Sequence, residues 1–197
     1  MLKATAVILA GGKSTRMGSD KAFLAVGRQC MIERVACLLK TVFAEVLIAG
    51  GSAEAEVQTG LQVVGDRIPG SGPLGGIHAG LTAAVNPLSL VVACDMPFIS
   101  PDLAGLLVER AEGHDVAVPR HGVYMEPLFA VYRKTCIPAI EESLLSSRYK
   151  VVDFYSRVRV KYVNETDWRP LAGPGEVFFN VNTPQDLKEA RKWLKKT

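Results

Sequence analysis

From Leu9 to Lys21 the chain reads Leu9-Ala10-Gly11-Gly12-Lys13-Ser14-Thr15-Arg16-Met17-Gly18-Ser19-Asp20-Lys21, which sets three glycines among three cations. Glycines let bare backbone amides approach phosphate oxygens closely. Lys13, Arg16 and Lys21 can offset a triphosphate's charge, Arg16 by forking two oxygens and Lys21 as a movable point charge. The bland reading is a solvated basic loop. Two common nucleotide motifs fail: the glycine a Walker A loop needs five residues before Gly12 is Val7, and the spacing is not G-x-G-x-x-G.

A second chemical feature is Asp95, placed directly after the apolar run Val91-Val92-Ala93-Cys94. Magnesium keeps several waters and takes one or two carboxylates plus substrate phosphates, so a single Asp at a strand end can be its main protein ligand. Alternatively Asp95 caps the Met96-Pro97 turn. A third feature is Gly65-Asp66 followed by Gly70-Ser71-Gly72-Pro73-Leu74-Gly75-Gly76, a stretch with little side-chain bulk where a flat base could lie. Guanine offers adjacent N1–H and N2–H donors that one carboxylate accepts together, so Asp66 is a candidate for choosing guanine, or else the cap of a turn. No Ser-His-Asp or Cys-His set is evident, and His78, His114 and His121 read as helix-surface or loop residues. An acceptor ending in a phosphate is already an anionic nucleophile at neutral pH. Charge neutralisation and alignment then suffice to move a nucleoside monophosphate onto it.

Elements that would position these groups follow from apolar runs and turn residues. Ala4 to Ala10 reads as a fully buried strand, Met31 to Phe43 as a helix, Glu45 to Ala49 and Leu61 to Val64 as strands. Pro73 suits the first turn of a helix to about Val85; Ser89 to Cys94 is a second buried strand; and Ser100-Pro101-Asp102 caps a helix through about Arg110. Val116 to Val118 and Pro127 to Tyr132 read as strands, Lys134 to Leu145 as a helix, and Val177 to Val181 as a short strand. Thr183-Pro184-Gln185-Asp186 opens a final helix. Buried strands alternating with helices predict an α/β fold: a single Rossmann-like three-layer sandwich, residues 1–197, with a mostly parallel sheet. Ligands bind such sheets at the carboxyl ends of the strands, where the residues after Ala10, Val64, Cys94 and Val181 gather.

Composition narrows the class. The 197 residues, 48% hydrophobic and 22% charged, suit one domain with a sizeable core. A net charge of +3, with its basic cluster at Lys188, Arg191, Lys192, Lys195 and Lys196, reads as a solvated helix face and not as a nucleic-acid site. Cys30, Cys37, Cys94 and Cys136 show no C-x-x-C spacing. The run Ala6 to Ala10 stops too early for a signal peptide or a membrane span, so a cytoplasmic protein with no membrane contact is expected.

L-A-G-G-x-x-x-R-M-G-x-x-K, Leu9 to Lys21, resembles the signature of the MobA family of guanylyltransferases, within a superfamily that includes cytidylyl- and sugar-nucleotidyltransferases. Cys94 to Phe98 (C-D-M-P-F) resembles that family's metal-binding segment, Gly72 to Ile77 (G-P-L-G-G-I) its base-binding loop, and Glu126 to Phe129 its E/Q-P-L-F strand. Phe178 to Pro184 resembles its N-x-N-T-P segment, in which Asn180 and Asn182 would share one face and hydrogen-bond a pterin or support the metal site. One departure is Gly50-Gly51, where some members carry Asn. The resemblance implies Arg16, Lys21 and Asp95 as catalytic residues, Asp95 as the Mg2+ ligand, and nucleotide or acceptor contacts from Leu9, Ala10, Gly11, Gly12, Lys21, Asp66, Pro73, Leu74, Gly75, Gly76, Asp95, Asn180 and Asn182. It further implies transfer of GMP from GTP to molybdopterin or Mo-molybdopterin, with molybdenum-insertion and molybdoenzyme-maturation proteins as partners. A cytidylyltransferase and a non-catalytic nucleotide-binding adaptor are the alternatives; an NAD-linked oxidoreductase lacks its fingerprint.

Overall fold

A computed structural model describes residues 1–11, 21–66, 68, 70–172 and 176–195. The first apolar run forms β1 (Leu2–Leu9), and its alternation divides the core. Ala4, Ala6 and Ile8 face a layer with Ile32, Val35 and Leu39, whereas Val7 and Leu9 face one with Leu74, Ile77 and Leu81. A strand covered on both faces reads as a near-continuous apolar run, as β1 does from Ala6 to Leu9.

After a short hairpin of β2 (Ala25–Val26) and β3 (Gln29–Cys30) come α1 (Met31–Lys40), β4 (Phe43–Ala49), α2 (Ala53–Thr59), β5 (Val63–Val64) and α3 (Gly72–Ala83). Next are β6 (Leu88–Ala93), α4 (Pro101–Arg110), β7 (Val116–His121), β8 (Tyr124–Met125), β9 (Phe129–Arg133) and α5 (Ile137–Leu145). The chain closes with β10 (Val160–Asn164), α6 (Glu165–Trp168) and α7 (Pro184–Leu194). The main sheet runs β10-β7-β9-β6-β1-β4-β5, with β8 on β7. Its pairs are parallel except where β9 meets β6 and β7 and where β8 meets β7. Helices α1 and α4 cover one face and α3 and α5 the other, the mostly parallel three-layer sandwich that the sequence predicts.

Strand β1 lies between β4 and β6, all three parallel, so the chain leaves β1 in one direction and returns on its other side. That reversal opens a crevice beyond the carboxyl ends of β1 and β6.

Several elements differ from expectation. Helix α1 stops at Lys40, and Phe43, fully buried, begins β4. Helix α2 was not predicted, because its exposed AEAEVQT turn carries a single buried residue, Ala55, and no apolar stripe. Val177 to Val181 is no strand. It begins as a turn, with Phe179 N donating to Glu176 O at 2.8 Å, and meets the sheet through Val181 N donating to Asp95 O at 2.9 Å. Its apolar residues pack on aromatic neighbours instead of entering a ladder: Phe178 meets Trp168 with ring centroids 4.9 Å apart, and Phe179 meets Trp193 at 4.8 Å. The caps of α4 and α7 are as expected, Ser100 Oγ accepting from Leu103 N at 3.2 Å and Thr183 Oγ1 from Asp186 N at 3.1 Å.

Candidate active site

At the end of β1, Ala10 N donates to Ala49 O at 3.0 Å and Cys94 N to Leu9 O at 3.0 Å, tying the three central strands together where the glycine loop departs. Gly11 then packs backbone against backbone on Gly50: a Cβ on Gly11 would stand 3.2 Å from Gly50 O, and one on Gly50 3.2 Å from Gly11 Cα. Gly50 has φ +75°, the left-handed region that glycine and, among other residues, Asn enter most readily. The Gly50-Gly51 departure thus keeps a backbone conformation that Asn also tolerates. Gly12, Lys13 and Arg16 lie outside the described residues.

The far end of the loop is described. Lys21 opens a 3-10 turn, and its Nζ donates to Asn182 Oδ1 at 3.0 Å across 161 residues of sequence. The two asparagines flank Val181, which is fully buried, Asn180 half-buried and Asn182 exposed. Asn182 N and Thr183 N both donate to Asp186 Oδ2, at 2.9 and 2.8 Å, so the start of α7 holds Asn182 in place. Asn180 spends its amide on Phe178 O at 3.0 Å. The backbone bond from Val181 to Asp95 brings this segment against the end of β6, beside Lys21.

Asp95 is the least satisfied of these groups. Its Oδ1 is buried and has no hydrogen-bond partner among the described residues. Burial raises its pKa above the usual carboxylate value, and the nearby Lys21 charge opposes that rise. A buried, unpaired carboxylate oxygen is costly in an empty protein and is satisfied by a cation. Asp95, with phosphates and waters completing the shell, therefore fits Mg2+.

On the other side of β1, Asp66 takes part in the turn that leads into α3. Asp66 Oδ1 accepts from Ile68 N at 2.9 Å and Oδ2 from Ser71 Oγ at 3.3 Å, so its carboxylate holds the turn into α3. Gly75 is required because a Cβ there would come within 1.9 Å of Ser71 Oγ and 2.5 Å of Asp66 Oδ2. A Cβ on Gly76 would meet Leu9 at 3.0 Å, and one on Gly80 would meet Val7 at 2.4 Å. These glycines make room for the protein's own side chains and seat α3 on β1. Leu74 and Leu9 are core residues, so they can meet a ligand mainly through backbone. Pro73 stands exposed in the first turn of α3.

Arg34 went unnoticed in the sequence, His78 was misread there, and Glu126 was seen only as part of a strand. Arg34 on α1 donates from Nε to Pro97 O at 2.7 Å and stands over the Phe98 ring, bracing the turn that carries Asp95. Nothing in its helical spacing marks it. His78 is 5% exposed, with Nε2 2.9 Å from Glu141 Oε1, and so is a buried link between α3 and α5 and not a surface residue. Glu126 lines a cavity of about 1060 Å³ together with Phe98, Phe178, Phe179, Trp168 and His121. Burial pushes its carboxyl pKa up, against the pull of His121 Nε2 at 3.6 Å.

A strand-end loop, a cationic lysine and a poised aspartate thus share one sheet edge. The model of the MobA-like NTP transferase domain matches residues 6–161. The chain belongs to this family. A Pelotomaculum thermopropionicum protein named "Probable molybdenum cofactor guanylyltransferase" is 61% identical over 97% of this chain and 93% of its own length. A Syntrophotalea carbinolica protein named "Molybdenum cofactor guanylyltransferase" is 34% identical over 95% of this chain and 90% of its own. Among solved structures, molybdopterin-guanine dinucleotide biosynthesis protein A from Archaeoglobus fulgidus superposes with a TM-score of 0.85 at 28% identity, covering 98% of this chain and 100% of that one. This MobA-like chain has, among its described residues, no helix long and apolar enough to cross a membrane.

Proposed function

We propose that this protein, as one nucleotidyltransferase domain over residues 1–197, transfers GMP from GTP to molybdopterin or its molybdenum form, giving molybdopterin guanine dinucleotide and pyrophosphate. The observation that carries this reading is the meeting of Lys21, Asn182 and the unpaired Asp95 at the carboxyl end of β6. Relatives named for this activity, matching nearly end to end, support it.

An acceptor phosphate oxygen attacks the α-phosphorus of GTP while the bond to pyrophosphate breaks, and no covalent enzyme intermediate or general base is needed. The protein's part is alignment and charge. Backbone amides after Leu9 and Ala10, with Gly11, Gly12 and Arg16, hold the triphosphate. Lys21, steadied by Asn182, places a positive charge beside Asp95 and the phosphates. Asp95 would hold Mg2+, which when bound neutralises phosphate charge and orients phosphate oxygens. Asp66 and the α3 start of Pro73 to Gly76 form the guanine side: Asp66 oxygens that each accept one protein donor keep lone pairs for N1–H and N2–H. Asn180 and Asn182 form the acceptor side. The setting is cytoplasmic, with molybdenum-insertion and molybdoenzyme-maturation proteins as further partners.

The test is pyrophosphate release from GTP, CTP and ATP with Mg2+, with and without molybdopterin. Acceptor-dependent release from GTP alone is expected. Release from CTP would move the base assignment, and tight nucleotide binding without turnover would make the protein an adaptor.

A further inference from the structure

The cavity that Phe98 lines, three residues beyond Asp95, carries five aromatic side chains, Phe98, Trp168, Phe178, Phe179 and Trp193, and one sunken carboxylate. Among these rings Trp168 and Phe178 meet edge to face at 4.9 Å, and Phe98 and Phe179 stand with centroids 6.3 Å apart. Such walls suit a planar heterocycle. Three glutamates line the cavity among the described residues. Glu165 is taken by the Arg169 guanidinium at 2.8 Å, and Glu176 is exposed. Glu126 differs: its side chain is 24% exposed, and its nearest ionic neighbour, His121, is 3.6 Å away, beyond hydrogen-bond length. Its two oxygens therefore keep acceptor capacity toward the cavity.

The backbone fixes where Glu126 stands. Glu126 N donates to Pro119 O on β7 at 3.1 Å, Phe129 N closes the turn on Glu126 O at 3.0 Å, and Leu128 O accepts from Ala93 N on β6 at 3.1 Å. The Glu126–Phe129 turn thus bridges β7 and β6 over the start of β9, leaving Glu126 about two strand spacings, roughly 10 Å, from the β6 end that carries Asp95. Asp66 lies on the opposite side, past β4 and β5. A ligand that puts its phosphate at Asp95 and its ring system in this cavity would bring the far edge of that ring to Glu126.

We infer that Glu126 reads the acceptor's pterin ring, its two carboxylate oxygens accepting the adjacent N3–H and 2-amino N–H donors of the 2-amino-4-oxo edge. This rests on the guanylyltransferase reading above and adds to it a specificity residue for the acceptor. Guanine and pterin present the same pair of donors, so the protein places one carboxylate on each side of Asp95, Asp66 for the base and Glu126 for the pterin. A paired acceptor rejects rings with a carbonyl in place of the 2-amino group, because oxygen would then face oxygen.

The experiment compares binding of 6-hydroxymethylpterin with that of 6-hydroxymethyllumazine, its 2-oxo counterpart, by quenching of their fluorescence, in wild type, E126A, E126Q and H121A. Wild type should prefer the pterin by at least about tenfold, the equivalent of about 1.4 kcal/mol. E126A should lose that preference, E126Q should keep part of it through its one carbonyl oxygen, and H121A should keep it nearly whole. In turnover, the KM for molybdopterin should rise at least tenfold in E126A, with the KM for GTP unchanged. Equal binding of the two rings by wild type, or an undiminished preference in E126A, overturns the assignment. Ring preference is read without turnover, so it fails separately from the guanylyltransferase reading, whose own failure is a wild type without acceptor-dependent pyrophosphate release.

Discussion

Two aspartates at opposite edges of the same sheet have contrary surroundings. Asp115 stands just before β7 at the amino edge, where Thr135 Oγ1 donates to it at 2.7 Å and Arg159 N and Nε donate at 2.9 and 3.2 Å. Burial pushes its pKa up, but these donors outweigh it and hold the carboxyl at about 2. Asp95, at the carboxyl edge, has a buried oxygen with no partner among the described residues, and burial keeps its pKa raised. The protein finishes its hydrogen bonding where a carboxylate stabilises the fold and leaves it unfinished where a ligand must complete it.

The sharpest way to break this contrast is D95N. Transfer should fall at least about 100-fold, as when a group that stabilises transition-state charge is removed. Thermal stability without nucleotide should rise at pH 7, because an acid with a raised pKa favours the fold most when protonated, and that advantage shrinks as pH rises. Asn stays neutral throughout. A lower melting temperature with retained turnover would make Asp95 a structural carboxylate like Asp115. Next in size is K21A, for which kcat/KM should drop roughly 100-fold with little change in urea midpoint. A large stability loss with normal turnover would assign Lys21 to folding through Asn182.

D115N inverts the pattern. It should cost about 1–3 kcal/mol in urea unfolding and leave turnover per folded molecule unchanged. Asp115's depressed pKa gives stability that is present above the ordinary value of 3.8 and lost as pH falls toward about 2, so D115N should flatten the acid limb of the stability profile. An unaltered acid limb would remove Asp115 from that role. The smallest effect is expected from D66N. Its amide oxygen can still accept from Ile68 N, so the loop should hold while preference for GTP over ATP falls about tenfold. An unchanged preference would confine Asp66 to the α3 turn.

Much of this site was legible in one dimension. The glycine and cation run, the carboxylate after a buried strand and the capped start of α7 are local signals, since turn chemistry and strand burial are set by neighbouring residues. Their family order along the chain carried the resemblance. The glycines of α3 were legible as glycines but not in purpose, because only packing reveals that Asp66, Ser71, Leu9 and Val7 occupy the space they leave. Val177 to Val181 looked like a strand because apolar residues that pack on aromatic rings carry the same pattern as residues in a ladder.

By itself, then, the sequence determined the alternating α/β order, the run of glycines and cations after the first strand and the identity of Asp95 as a strand-end acid, all properties of residues close in the chain. Tertiary structure decided that Lys21 meets Asn182, that Arg34 braces the turn of Asp95, and that Glu126 shares a cavity with Phe98, Trp168 and Phe178. Those pairings join residues brought together only by the crossover on either side of β1 and by the turn from β7 to β6. Long-range contacts of this kind depend on sheet order, which apolar periodicity does not encode.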